Sequence, residues 1–165
     1  MNTLTSSLEF SHFPVMLSEI IQIASPEKGG LFIDCTFGGG SYSNALLKFP
    51  KTKVIGIDRD EAVISRANEL QKKYQKRFKF YQIKFSELDK ILNKNADTII
   101  FDLGLSSIQL KNLNRGFSFK SKNKLDMAMG LNNISAQEAI NNLSEKHLKL
   151  IIKILGEETE ASNIA

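Results

Sequence analysis

The chain has 165 residues, a length that suits one globular domain, and its 42% hydrophobic and 24% charged content excludes an intrinsically disordered chain. No apolar run reaches the ~18 residues that a membrane helix needs, and Met1 to Phe10 lacks the basic start and apolar core of a secretory signal. Lys and Arg total 22 against 18 Asp and Glu, a net charge of +4 that is compatible with an acidic partner such as RNA without specifying one.

The single cysteine, Cys35, cannot form an internal disulfide, and beside only His12 and His147 it gives no zinc set. A reducing, cytoplasmic location is the expectation. Asn2 to Ser11 is a polar leader. Pro14 suits a first helical turn, and Val15 to Ala24 has the spacing of a short amphipathic helix. Pro26 to Gly30 is turn chemistry, and Leu31 to Cys35 reads as a strand buried on both faces. Gly38-Gly39-Gly40 opens a helix over 41–47. Lys53 to Asp58 is a second buried strand, and Glu61 to Tyr74 a helix with Ala62, Val63, Ala67 and Leu70 on one face. Phe78 to Ile83 is a third strand, Ser86 to Leu92 a short helix, and Asp97 to Asp102 a fourth strand.

Strands alternating with helices predict right-handed parallel β-α-β units. Beyond Asp102 the pattern changes. Gly104 to Lys124 is polar and basic, Ser135-Ala136-Gln137-Glu138 is a capping box, and Ser144 caps a helix that stops at Gly156. No fifth strand is read from the sequence.

In an open parallel sheet, ligands bind beyond the carboxyl ends of the strands where strand order reverses. Three features collect there. The turn Asp34-Cys35-Thr36-Phe37-Gly38-Gly39-Gly40-Ser41 lets a ligand approach the backbone and offers N–H groups to an anion. Asp58, ending the second strand, suits the two hydroxyls of a ribose. Asp102, ending the fourth, precedes Leu103-Gly104-Leu105-Ser106-Ser107. Each also has a plainer reading, as a tight turn, a strand-end acid and a turn former; their conjunction on one sheet edge favours a nucleoside-containing cofactor. A dinucleotide fingerprint requires G-x-G-x-x-G, and here Gly38 and Gly40 are followed by Ser43 at the third position. The D-x-x-x-G-x-G spacing from Asp34 fits S-adenosylmethionine enzymes better, leaving an NAD-dependent oxidoreductase as the alternative.

The chain resembles the bacterial ribosomal RNA small subunit methyltransferase H family, also called the MraW family, from His12 to Ala165. The resemblance rests on His12-Phe13-Pro14-Val15-Met16-Leu17, the Asp34 to Gly40 turn, Ile57-Asp58-Arg59-Asp60 and Asp102-Leu103-Gly104-Leu105-Ser106-Ser107. Gln109, Arg115-Gly116-Phe117-Ser118-Phe119, Leu125-Asp126-Met127 and Gly156-Glu157-Glu158 extend it. It implies a Rossmann-like S-adenosylmethionine-dependent methyltransferase that modifies N4 of a cytidine in the decoding region of small-subunit (16S) rRNA. The expected partner is that RNA or the assembled small subunit. The implied cofactor contacts are Gly40, Ser41, Tyr42, Asp58, Phe85, Asp102 and Gln109, with Phe85 packing on the adenine.

The chain departs from the family where many members read Gly-Gly-His-Ser and this one reads Gly40-Ser41-Tyr42-Ser43. Lys124 stands where proline is usual, and Ala128 where arginine is usual. Members are about twice this length, so the expectation is an α/β domain holding strands one to four in order 3-2-1-4 over 1–124. The start of a helical insertion domain would follow over 125–165, and strand four would be an open edge. Asp102 has two readings, as the acceptor of an N4 proton and as a cofactor contact alone. A cofactor-binding but inactive fragment remains an alternative for the whole chain. Arg115, Lys120, Lys122 and Lys124, interleaved with Phe117 and Phe119, suit RNA phosphates and a stacked base, or simply form a solvated basic loop. Lys72, Lys73, Lys76 and Arg77 are expected to be solvated surface on the opposite sheet edge.

Overall fold

A computed structural model describes residues 14–131 and 134–165. Four strands, β1 (Gly30–Asp34), β2 (Thr52–Asp58), β3 (Phe78–Gln82) and β4 (Thr98–Ile100), form one sheet in the order β3-β2-β1-β4. Every pairing is parallel, with Phe32 opposite Val54 on one side and Thr98 on the other. The expected strand order is therefore the observed one. β1 lies in the middle, and the apolar run read from the sequence is explained by burial on both faces: Phe32 and Ile33 are each 0% exposed.

Alternation along the strands sends successive side chains to two separate cores. On one face Phe32, Val54, Phe78 and Ile100 pack with Phe37 and with side chains of three helices: α1 (Leu17–Ala24), α2 (Ser41–Leu47) and α3 (Ile64–Tyr74). Leu17, Ile20 and Ile21 of α1, Leu46 and Leu47 of α2, and Ala67 and Leu70 of α3 supply that layer. On the other face Ile33, Cys35 and Ile57 are covered by Ile83, Leu88, Ile91 and Leu92.

Several elements differ from the sequence reading. Pro14 does not occupy the first turn of α1; the helix begins at Leu17, after Met16 turns through a left-handed conformation (φ 52°). The segment read as a helix over 86–92 is 3₁₀ structure over Phe85–Lys90, broken by non-helical angles at Glu87. Strand β4 is limited to Thr98–Ile100 and, among the described residues, pairs with β1 alone. Arg77 is not merely solvated: it donates to the carbonyl oxygen of Phe49 at 3.0 Å and lies over the Tyr74 ring. It thereby ties the end of α3 to the turn that leads into β2.

The chain divides into two compact units, up to Ile108 and from Gln109 onward. A short helix, α4 (Ser107–Lys111), straddles that division and was not read from the sequence. The second unit contains α5 (Ala136–Asn142), α6 (Glu145–Leu155) and α7 (Ala161–Ile164). Both expected caps are present. Ser135 and Glu138 form the reciprocal capping box, and the Ser144 side chain accepts the His147 N–H. The loop before α5 is pinned by Met127 N–H to the Arg115 carbonyl and Gln137 N–H to the Leu125 carbonyl, each at 2.8 Å. No helix among the described residues is long and apolar enough to cross a membrane.

Candidate cofactor site at the carboxyl edge of the sheet

The turn between β1 and α2 is built from below by Phe37. Its side chain is 2% exposed and turns back into the core, where its ring lies 5.7 Å from that of Phe78 and 5.3 Å from that of Phe80. Two glycines accommodate it. A Cβ on Gly56, in β2, would stand 2.8 Å from the Phe37 ring, and one on Gly40 would stand 2.6 Å from it. Gly40 also holds φ +72° as the residue capping α2, a conformation that costs other residues strain. The glycines thus let an aromatic plug sit beneath the turn. Above, no neighbouring heavy atom lies within 4 Å of where a Gly39 side chain would begin, so the outer face is open.

Asp58 locks this turn to β2. Its Oδ2 accepts the Gly38 N–H at 2.8 Å, and its Oδ1 accepts the Asp60 N–H at 2.9 Å. Burial raises its pKa from the ordinary aspartate value, while these backbone N–H groups oppose the rise. Each carboxylate oxygen retains acceptor capacity beyond its backbone bond, so a ribose diol is chemically compatible with this position.

Asp34, the last residue of β1, is fully buried. Ser43 Oγ donates to its Oδ2 at 2.8 Å, which ties β1 to α2 across the turn, while Oδ1 is buried without a hydrogen bond. Burial, opposed by the Ser43 bond, pushes the Asp34 pKa up to about 6. Because this value lies above the ordinary 3.8, the folded chain holds the proton more tightly than the unfolded one. The contribution to stability is greatest below pH ~4 and falls away as pH rises to about 6. Asp34→Asn is expected to flatten this decline, so that its thermal midpoint gains on the parent between pH 4 and 6. Parallel melting curves for the two proteins across that window would contradict the assignment.

Asp102 lies just beyond β4 and is exposed. Its N–H donates to Thr36 Oγ1 at 2.8 Å, and its Oδ2 lies 3.3 Å from the Tyr42 hydroxyl. Phe85 is 45% exposed and meets Phe101 edge-on, with ring centroids 5.5 Å apart. The structure therefore brings Gly40, Ser41, Tyr42, Asp58 and Asp102 to one turn-rich edge, with Phe85 beside the end of β4. Gln109 lies on α4, beyond the division between the units, and is buried. Sequence reasoning missed the positions of Phe37 and Thr36, whose signals are only the apolar and hydroxyl residues interrupting the Asp-to-Gly spacing. His12 and Phe13 of the N-terminal motif fall outside the described residues.

In the second unit, Arg115 donates to the Ala128 carbonyl and packs over the Phe117 ring, so both side chains have internal partners. Lys120, Lys122, Lys124 and Phe119 are exposed.

A parallel β3-β2-β1-β4 sheet with helices on it, a glycine turn after β1 and acids after β2 and β4 defines a Rossmann-like methyltransferase domain. The chain belongs to the MraW methylase family, whose sequence model matches residues 9–165. It is 43% identical over 156 residues to the ribosomal RNA small subunit methyltransferase H of Rickettsia massiliae, covering 94% of this chain and 51% of that protein. The protein of the same name from Orientia tsutsugamushi is also 43% identical, with 93% of this chain and 50% of that one covered. A solved rRNA methylase from Streptococcus thermophilus aligns with a TM-score of 0.46 and 18% identity, over 58% of this chain and 57% of that one. The chain spans about half the length of the curated relatives it matches.

Membership in a methylase family implies S-adenosylmethionine as methyl donor. The residues present fit that group. Asp34 Oδ1 is a buried acceptor without a donor, the outer face of the turn is open at Gly39, and Asp58 keeps acceptor capacity. A molecule that carries an ammonium group and a ribose diol supplies the matching donors.

Proposed function

We propose that this chain is the N-terminal half of an S-adenosylmethionine-dependent methyltransferase acting on N4 of a cytidine in the decoding region of small-subunit rRNA. The observation that carries the reading is the family match over 9–165, joined to an exposed Asp102 held at the same sheet edge as the glycine turn. In this reading Gly40, Ser41, Tyr42, Asp58, Phe85 and Gln109 hold the cofactor. Residues 1–124 form the first part of the methyltransferase domain, and 125–165 begin a helical insertion. The partner is the RNA itself or the assembled small subunit, and the work is done in the cytoplasm.

When bound, the cofactor would supply a methyl group carried on a sulfonium sulfur, whose C–S bond breaks to leave a neutral thioether as the N–C bond forms. The exocyclic nitrogen of cytosine is a weak nucleophile because its lone pair is delocalised into the ring. Asp102 raises its competence by accepting an N4 proton as the N–C bond forms, and the remaining residues contribute by holding the reactants in line. The target base must be unstacked to reach the carboxylate. Exposure of Asp102 at the sheet edge is compatible with that approach.

Transfer of labelled methyl groups to unmodified small subunits tests the reading, with nucleoside analysis of the product. Asp102→Asn is expected to retain cofactor binding by calorimetry and to lose transfer by about a hundredfold or more, the scale of one general base. Parallel loss of binding and transfer would reduce Asp102 to a cofactor contact. A chain that binds the cofactor but never transfers the methyl group would point to the inactive-fragment alternative.

A further inference from the structure

Tyr42 projects from the first turn of α2 and is 5% exposed, yet its hydroxyl meets two acceptors. The Val15 carbonyl oxygen lies at 2.5 Å and Asp102 Oδ2 at 3.3 Å. A phenol has one proton to donate and lone pairs to accept with. Two acceptors around a single proton therefore leave the phenol oxygen able to act in either sense toward the carboxylate.

We propose that Tyr42 is a positioning residue for Asp102, sharing its hydroxyl proton between the Val15 carbonyl and the carboxylate so that the carboxylate is held in both protonation states. The proposal rests on the reading of Asp102 as proton acceptor. With Asp102 ionised, the Tyr42 hydroxyl donates to it. After a proton passes from the substrate amine to Asp102, the new carboxyl O–H donates to the phenol oxygen. The Tyr42 proton then turns wholly to Val15. Tyr42 neither gains nor loses a proton through this exchange, and no bond to it is made or broken.

Three further observations support the device. Thr36 Oγ1 accepts the Asp102 N–H at 2.8 Å, which fixes the backbone while Tyr42 orients the side chain. Val15 lies two residues before α1, whose Leu17, Ile20 and Ile21 are packed on the core, so the second acceptor sits beside an anchored helix. Burial, followed by the negative charge and hydrogen bond of Asp102 and the charge of Asp34, pushes the Tyr42 pKa up to about 12. The phenol thus keeps its proton at physiological pH.

The test is made on the 165-residue chain with 3-fluorotyrosine in place of tyrosine, which brings phenol ionisation to a milder pH, and is read by fluorine NMR. The Tyr42 signal is assigned by its disappearance in Tyr42→Phe, which separates it from Tyr74 and Tyr81. Asp102→Asn removes the neighbouring charge and is expected to move the Tyr42 titration down by about one pH unit. An unmoved titration overturns the proposal, since a phenol serving only Val15 has no reason to sense residue 102.

A second readout addresses the reaction. In the methyl-transfer assay, Tyr42→Phe keeps the ring assigned to the cofactor set and is expected to lower kcat about tenfold, a larger loss than that of cofactor affinity measured by calorimetry. Tyr42→His, which restores a ring that both donates and accepts, is expected to recover part of that loss. Loss of affinity equal to the loss of rate would also overturn the proposal, because Tyr42 would then act through the cofactor alone. A titration that responds to Asp102→Asn in a chain without methyl transfer would instead sink the proposed function and leave the Tyr42–Asp102 coupling standing.

Discussion

Asp58→Ala is expected to weaken S-adenosylmethionine binding by about ten- to a hundredfold, corresponding to ~1.5–3 kcal/mol for hydrogen bonds to a charged acceptor. Two losses combine in that figure. The acceptor proposed for the ribose hydroxyls disappears, and so does the carboxylate that holds Gly38 N–H at 2.8 Å and Asp60 N–H at 2.9 Å. Gly38 belongs to the turn that would receive the cofactor, so its release lowers preorganisation as well as removing a contact. Calorimetric titration of parent and variant measures the effect, and circular dichroism reports whether the sheet persists. Equal affinity in the two proteins would remove Asp58 from the site.

The largest expected effect on stability belongs to Phe37. Phe37→Ala is expected to cost about 3–5 kcal/mol, the range for removing a buried aromatic from a packed core. The ring is 2% exposed and packs against Phe78 and Phe80. Gly40 and Gly56 lack side chains where that ring passes, so they have no atoms with which to fill the vacated space. The turn would lose its support, and cofactor affinity should fall together with stability. Denaturant unfolding measures the first quantity and calorimetry at low denaturant the second. A change below about 1 kcal/mol would mean that the turn stands without the plug.

Those two residues illustrate what can be read along a chain and what cannot. Asp58 is legible because an acid ending an apolar run, 18 residues beyond Gly40, is a local pattern with a known chemical use. Phe37 is adjacent in sequence to the same glycines, but its partners Gly56, Phe78 and Phe80 are tens of residues away. Nothing local says that this aromatic turns inward rather than toward a ligand. Arg115 shows the converse. A basic loop with interleaved aromatics reads as a surface for RNA, yet Arg115 is engaged by the Ala128 carbonyl and the Phe117 ring. Spacing identifies a cation but not the acceptor that reaches it first.

The sequence by itself located the four strands, the glycine turn and the family motifs, because buried parallel strands leave continuous apolar runs and the motifs are short and contiguous; the strand order followed from the family resemblance. It also located both helix caps in the second unit, where a side chain reaches an N–H three residues away. Only the tertiary structure decided that Asp34 is fully buried with one oxygen unpartnered, and that Tyr42 stands between Val15 and Asp102. Those relations join residues 27 and 60 positions apart. Hydrogen bonding and desolvation depend on which atoms the folded sheet brings within about 3 Å, a distance that no local pattern encodes.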